Sequence, residues 1–213
     1  MPVYNENPDR VFNAVAVMRR SIAPEATGSL DIFVLSDTQD SVIAAAEEAA
    51  YAACCATMGA YGPALHYRRR TPNTRRKAGN IAEFCARWGS GYDFMLVLDA
   101  DSLMTGPAIA RLIGAAEANP RAGIIQTMCY PIGRASLFAR IQQFGARLYG
   151  PLLARGVAFW QGPRGSYWGH NAILRTAAFA AHCQLPDLPG RAPLGGEILC
   201  HDTVEAALML RAG

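Results

Sequence analysis

Phe94-Met95-Leu96-Val97-Leu98-Asp99-Ala100-Asp101 joins five consecutive apolar residues to two carboxylates two positions apart. An apolar run with no polar alternation suits a strand buried on both faces, as in a parallel sheet covered by helices. Upstream, Leu30-Asp31-Ile32-Phe33-Val34-Leu35 reads as a strand ending at Ser36-Asp37, and a short strand is expected near Leu65–Tyr67. Helical patterns separate them. Asn7 is placed to cap a helix with Pro8 in its first turn and Val11, Phe12, Val15, Met18 and Ile22 on one face; an Ala-rich helix is expected from about Ser41 to Ala56, and another over Asn80–Trp88. Downstream, Ala108–Ala118 reads as a helix stopped by Asn119-Pro120, and Gly123–Thr127 as a further strand. Strand and helix alternate, which predicts an α/β fold: a mostly parallel sheet flanked by helices.

The remainder is less regular. From Arg134 to about Ala154, Leu137, Phe138, Ile141, Phe144, Leu148 and Leu152 recur at helical spacing, and this stripe is expected to pack into the core. An aromatic-glycine stretch (Phe159 to Asn171), a short helix near Thr176–His182, a Pro/Gly-rich loop (Leu185 to Gly196) and a last helix from about Asp202 follow. Met1 to Tyr4 reads as the end of a strand and Gly213 falls in a helix, so both ends are expected to be cuts from a larger protein.

With 51% hydrophobic and 17% charged residues over 213 positions, the chain can bury a core, and disorder is excluded. The 20 basic and 17 acidic residues are too balanced to imply a polyanionic partner. Six cysteines without a C-x-x-C pair read as reduced thiols. No window has the length and apolarity of a membrane span.

In open α/β sheets ligands bind beyond the carboxyl ends of the strands. Asn5-Glu6, Asp37 and Asp99-Ala100-Asp101 all fall there. Acids also end strands because they make turns, but three strand ends together favour a site. Alternate residues leaving a strand can aim both carboxylates at one ligand, where a hard cation and a diphosphate would fit. Arg68-Arg69-Arg70 and Arg75-Arg76-Lys77 precede Gly79-Asn80 and a helix start, a natural phosphate cradle; the outer arginines also read as a plain exposed loop. No series of stacking aromatics accompanies them, so no nucleic acid is expected as a partner. Asp202 reads either as a helix cap or as a general base at a cleft edge. The histidines lack zinc-site spacing, and no G-x-S-x-G is present.

Pro2-Val3-Tyr4-Asn5-Glu6, Leu35-Ser36-Asp37, Lys77-Ala78-Gly79-Asn80, Asp99-Ala100-Asp101 and His201-Asp202 occur in the order seen in processive family 2 glycosyltransferases such as cellulose synthases, which the chain resembles. Further phrases, among them Tyr67-Arg68-Arg69-Arg70 and Tyr167-Trp168-Gly169-His170-Asn171-Ala172, resemble the members that build osmoregulated periplasmic glucans. The resemblance implies a GT-A-type, Rossmann-like fold with a helical acceptor-side part, residues 1–127 forming the nucleotide-binding half and 128–213 the acceptor-side half. It implies that Asn5, Glu6, Asp37, Lys77 and Asp99 bind UDP-glucose, that Asp101 with Asp99 holds Mg²⁺ or Mn²⁺, that Trp168, Gly169, His170 and Asn171 line the acceptor glucan, and that Asp202 is the catalytic base. It further implies a bacterial inner-membrane enzyme, anchored by transmembrane helices outside this chain, with this domain on the cytoplasmic side. Cellulose-, chitin- and hyaluronan-type transferases remain alternatives, as does a non-catalytic nucleotide- or RNA-binding module. The family's Gln-x-x-Arg-Trp motif is absent from the 213 residues and is expected downstream, so this stretch alone is expected to be inactive.

Overall fold

The structure is a computed structural model that describes residues 1–23, 30–59, 62–191 and 194–213. The chain begins with β1 (Pro2–Val3), α1 (Pro8–Ile22), β2 (Asp31–Ser36), α2 (Ser41–Met58), β3 (Ala64–Arg69) and α3 (Arg76–Arg87). It continues with β4 (Phe94–Val97), α4 (Gly106–Ala118), β5 (Ile124–Gln126), α5 (Leu137–Gln161), β6 (Ala172–Arg175), α6 (Thr176–His182) and α7 (His201–Ala212). Local chemistry sets several boundaries. Asn7 Oδ1 accepts the Arg10 amide at 2.9 Å and Pro8 supplies a preset φ, so α1 starts where expected. Asp40 caps α2 by accepting from the amides of Val42 and Ile43.

Two three-stranded sheets result. In the order β1-β2-β3 all strands are parallel, with Asp31 opposite Ala64 and Leu35 opposite Pro2. In the order β4-β6-β5 the central strand runs antiparallel to both neighbours. The expected all-parallel environment of the Phe94 strand is therefore corrected: its hydrogen-bonded neighbour is the antiparallel β6, a strand the sequence did not announce. Ala172-Ile173-Leu174-Arg175 is too short to show a period between a glycine-aromatic segment and a helix, yet Ala172, Ile173 and Leu174 are almost completely buried.

Alternate strand residues enter two cores. Val34 and Ile173 join α1, α2 and α4 side chains on one face, while Leu35, Ala172 and Leu174 join Ile81 and Phe84 of α3 and Phe179 of α6 on the other. Helices thus cover both faces. The α1 stripe Val11, Phe12, Val15, Met18 and Ile22 is buried as its spacing required, contributing on the order of 10 kcal/mol of transfer free energy as an upper estimate.

The stripe of α5 behaves oppositely. Leu137, Phe138, Phe144 and Leu152 are 77%, 72%, 68% and 73% exposed, so the expectation that they belong to the core is wrong. The helix instead turns its small residues toward the body: Gly150 is buried, and a Cβ there would lie 2.8 Å from Tyr130 Cε1. Helical periodicity identifies a shared face, but not what covers it. Residues 192 and 193 of the Pro/Gly-rich loop lie outside the described residues.

Candidate active site

The end of β4 is the centre of the site. Asp99 leaves the strand half-buried, and one carboxylate oxygen accepts a hydrogen bond from Lys77 Nζ. Its other oxygen lies 4.0 Å from His170 Nε2. Lys77 is the second residue of α3, which begins four residues before the sequence indicated. The start is built from an uncommon backbone: Arg75 and Arg76 have φ of 58° and 47°, and no side chain caps the first turn. Its amides and Lys77 together offer positive potential to an anion. Gly79 permits this fold-back, because a Cβ there would stand 2.1 Å from Thr74 O. The buried Asn80 locks the helix to β2 by donating to Leu35 O at 2.9 Å and accepting from Arg68 Nη2 at 2.8 Å.

The segment Trp168–Asn171 faces the same strand end. The Asn171 amide donates to Val97 O at 2.7 Å, and Asn171 Oδ1 accepts from Ser102 Oγ at 2.8 Å. Gln126, last residue of β5, clamps the segment from the other side: its Nε2 donates to His170 O at 2.9 Å and its Oε1 accepts the Trp168 amide at 3.0 Å. Sequence reading passed over Gln126, although the strand-end rule that singled out the acids applies to it equally. Gly169 adopts φ of 78°, and Asp202 Oδ2 lies 3.3 Å from where a Cβ on Gly169 would stand. Asp202 Oδ1 accepts its neighbour's amide, Thr203 N, at 3.0 Å. The open face of Gly169 therefore brings the Asp202 carboxylate against the loop that holds His170. Tyr167, buried beneath, has its phenol pushed up by burial first, then by the carboxylates of Glu205, Asp99 and Asp202.

Asp37 is buried and bound to Arg70, whose Nε and Nη2 donate to its two oxygens at 2.5 and 3.0 Å. Arg70 Nη2 also donates to Arg76 O at 2.8 Å, next to Lys77. Asp37 thus reaches the Asp99 region through Arg70 and the start of α3. Most of the basic run is spent internally: Arg69 donates to Thr38 O, and Arg75 pairs with Asp187 and donates to Leu185 O, tying down the Pro/Gly-rich loop. Asn5, in the left-handed region with φ of 52°, donates its amide to Thr38 Oγ1 at 2.9 Å. Glu6 and Asp101 are exposed.

A buried acid missed by sequence reading supports this edge. Glu47 of α2 accepts from Ser36 Oγ and Thr38 Oγ1, both at 2.6 Å, and from Tyr67 OH at 2.9 Å. Its only sequence signal is an acid on the inward face of an Ala-rich helix. Behind the site, Cys85, Cys183 and Glu205 line a cavity of about 290 Å³ between α3, α6 and α7. Burial, then Glu205, pushes the Cys85 thiol up to about 11 and the Cys183 thiol up to about 12. All six cysteines are free, as expected.

A parallel sheet covered by helices, an acidic strand end, a cationic helix start and a facing acid-bearing helix are what a GT-A transferase domain contains. The match to the family described as Glycosyl transferase family 2 covers residues 1–182, and the chain belongs to that family. It is 52% identical over 216 residues to Glucans biosynthesis glucosyltransferase H of Xanthomonas campestris pv. campestris (strain B100). Identity to the proteins of the same name from Xylella fastidiosa (strain 9a5c) and Shewanella sp. (strain ANA-3) is 51% and 50%. The whole chain is covered in each case, but only 33%, 33% and 29% of those relatives. The chain therefore spans about a third of the length of the curated relatives it matches. Asp202 lies beyond the family match but within the stretch shared with these relatives. Among the described residues, no helix is long and apolar enough to cross a membrane.

Proposed function

We propose that this chain is the catalytic domain of an inverting glucosyltransferase that moves glucose from UDP-glucose to a growing β-glucan, the backbone of a periplasmic glucan. One observation carries the reading: Asp99 stands between Lys77 and the His170 loop, while Asp202 lies against Gly169 of that same loop. This juxtaposition supports a donor and an acceptor meeting at one strand end. An acceptor hydroxyl oxygen attacks the anomeric carbon, its proton passes to Asp202, and the bond from that carbon to the UDP oxygen breaks with UDP leaving. Lys77 and the uncapped amides of α3 hold the departing diphosphate, Asp37 positions them through Arg70, and Asn5 and Glu6 flank the uridine end. Trp168, Gly169, His170 and Asn171 seat the acceptor sugar.

Asp99 and Asp101 supply hard oxygen ligands suited to Mg²⁺ or Mn²⁺. Among the described residues no group of three or more His, Cys, Asp or Glu side chains is arranged to hold a metal, so a cation held by these two carboxylates would have to take its remaining ligands from phosphate and water. When bound, such a cation would neutralise charge on the leaving diphosphate. A diphosphate that takes over the Lys77 ammonium frees the Asp99 oxygen it now occupies. In the intact enzyme the domain would work at the cytoplasmic side of a bacterial inner membrane.

Calorimetric titration of the chain with UDP-glucose, UDP-N-acetylglucosamine and UDP, each with and without Mn²⁺, tests the donor site. Metal-dependent preference for UDP-glucose is expected; metal-independent binding, or none, refutes it. In the full-length enzyme Asp202→Asn should keep nucleotide binding and lose transfer. Unchanged transfer removes Asp202 from the role of base.

A further inference from the structure

We propose that Glu205 is a positioning residue that aims the Asp202 carboxylate by holding His201, an inference that rests on the reading of Asp202 as the base. Glu205 is only 2% exposed, and its ionic partner among the described residues is His201, one helical turn earlier, whose Nδ1 lies 3.1 Å from Glu205 Oε2. The other groups around it do not neutralise it. Tyr167, Cys85 and Cys183 are acids whose protons are held on by burial first and by the Glu205 charge second. Arg75, on the wall of the same cavity, already gives its guanidinium to Asp187 and Leu185 O. The pair is also a weak stabiliser, because neither atom makes an aligned hydrogen bond with any described group, and apolar side chains of equal volume often serve a buried position as well as an ion pair does. What the pair supplies is placement.

The start of α7 needs it. Cys200, at the N-cap, gives no side-chain hydrogen bond to the first turn. The bonds that Asp202 Oδ1 accepts come from that same turn: the Thr203 amide at 3.0 Å and Cys200 Sγ at 3.3 Å. A turn held by its own residues is free to rotate against the body. Glu205 ties it down twice, through His201 and through its backbone oxygen, which accepts from Cys183 Sγ at 3.5 Å just beyond α6. At about 100° per residue the side chains of 201 and 205 project within about 40° of each other, with 202 about 60° further round. Pinning the first two inward therefore turns Asp202 to Gly169, where its Oδ2 stands 3.3 Å from the place of a Cβ.

The test uses the full-length enzyme, with Asp202→Asn as reference. Glu205→Gln keeps the volume and removes the charge; it should lower kcat about 100-fold, the cost of moving a reacting group by about 1 Å. The KM for UDP-glucose and the calorimetric affinity for UDP should not change, because the pair touches neither Lys77 nor Asp99. His201→Gln, at a less buried position, should give the same loss, and the double variant no more than either single change, since all three break one link. Hydrogen exchange at the amides of Ala206 and Ala207, which bond back to the first turn, should quicken in each variant while that of α6 stays the same. Unchanged kcat in Glu205→Gln, losses that multiply in the double variant, unchanged exchange, or a parallel loss of UDP affinity would each overturn the proposal. Transfer that survives Asp202→Asn removes the base and this inference with it, whereas transfer lost in Asp202→Asn but intact in Glu205→Gln removes this inference alone.

Discussion

Glu47→Gln is the most informative single change to the fold beneath the site. The two hydroxyls nearest Glu47 already accept one hydrogen bond each: Ser36 Oγ from the Thr38 amide at 3.1 Å and Thr38 Oγ1 from the Asn5 amide at 2.9 Å. Their protons must therefore point at Glu47, which receives them at 2.6 Å together with Tyr67 OH at 2.9 Å. A carboxylate accepts all three. A carboxamide keeps the volume but presents N–H groups to at least one hydroxyl that has no acceptor capacity well aimed at it. Losing one buried charge-assisted bond costs about 2–3 kcal/mol. With a urea slope of about 2–3 kcal/mol per molar, the unfolding midpoint should fall by about 1 M. The relay also names where the damage shows: the amides of Asn5 and Thr38 should exchange with solvent much faster than those of α4, which share none of these bonds. An unchanged midpoint, or a lower midpoint with Asn5 and Thr38 still protected, would refute the reasoning.

Gly79→Ala should destabilise by about 3 kcal/mol and shift the start of α3, since the new methyl meets the Thr74 carbonyl rather than a movable side chain; thermal melting reads the cost. With iodoacetamide at mildly alkaline pH, exposed Cys200 should react first and Cys85 and Cys183 last, as mass spectrometry of peptides would show. The folded state holds the protons of those two thiols more tightly than the unfolded chain does. Their contribution to stability is therefore complete below the unfolded thiol value of about 8.5 and is lost as pH rises toward the folded values of about 11 and about 12; a urea midpoint that rises over this range contradicts the assignment. Arg75→Ala should barely change global stability, because its pair with Asp187 is exposed, but it should speed proteolysis in the loop that follows Leu185.

Where the chain is regular, its pattern carried the structure. The α1 cap and stripe, the β2 strand and the α2 boundary follow from propensity and burial period acting together, and all stand where expected. Four features were not legible, and the first three escaped for different reasons. The exposure of α5 escaped because a periodic apolar stripe is the same pattern whether protein or something else covers it. The start of α3 escaped because it begins on two left-handed arginines with no capping residue, contrary to every usual start signal. Glu47 escaped because an acid beside a second one, Glu48, in an Ala-rich helix reads as a solvated face, and only the three-dimensional approach of Ser36, Thr38 and Tyr67 shows otherwise.

The unannounced β6 matters most, because it assembles the site. Had it run parallel to β4 and β5, its carboxyl end would have stood beside Asp99, and the residues placed there would have been Thr176 onward. Running antiparallel, its first residue Ala172 sits opposite both Val97 and Gln126, the last residues of their strands. The four residues just before it are thereby delivered to the carboxyl edge that Asp99 occupies, where Gln126 and Ser102 fasten them. Chain reversal in that one strand is what allows a segment about 70 positions later in sequence to face Lys77 and Asp99. It also leaves α6 and α7 to follow on the far side and return Asp202 to Gly169. The acidic motif and the Trp168–Asn171 motif are each visible in sequence. Their meeting depends on four residues whose direction no local pattern reveals.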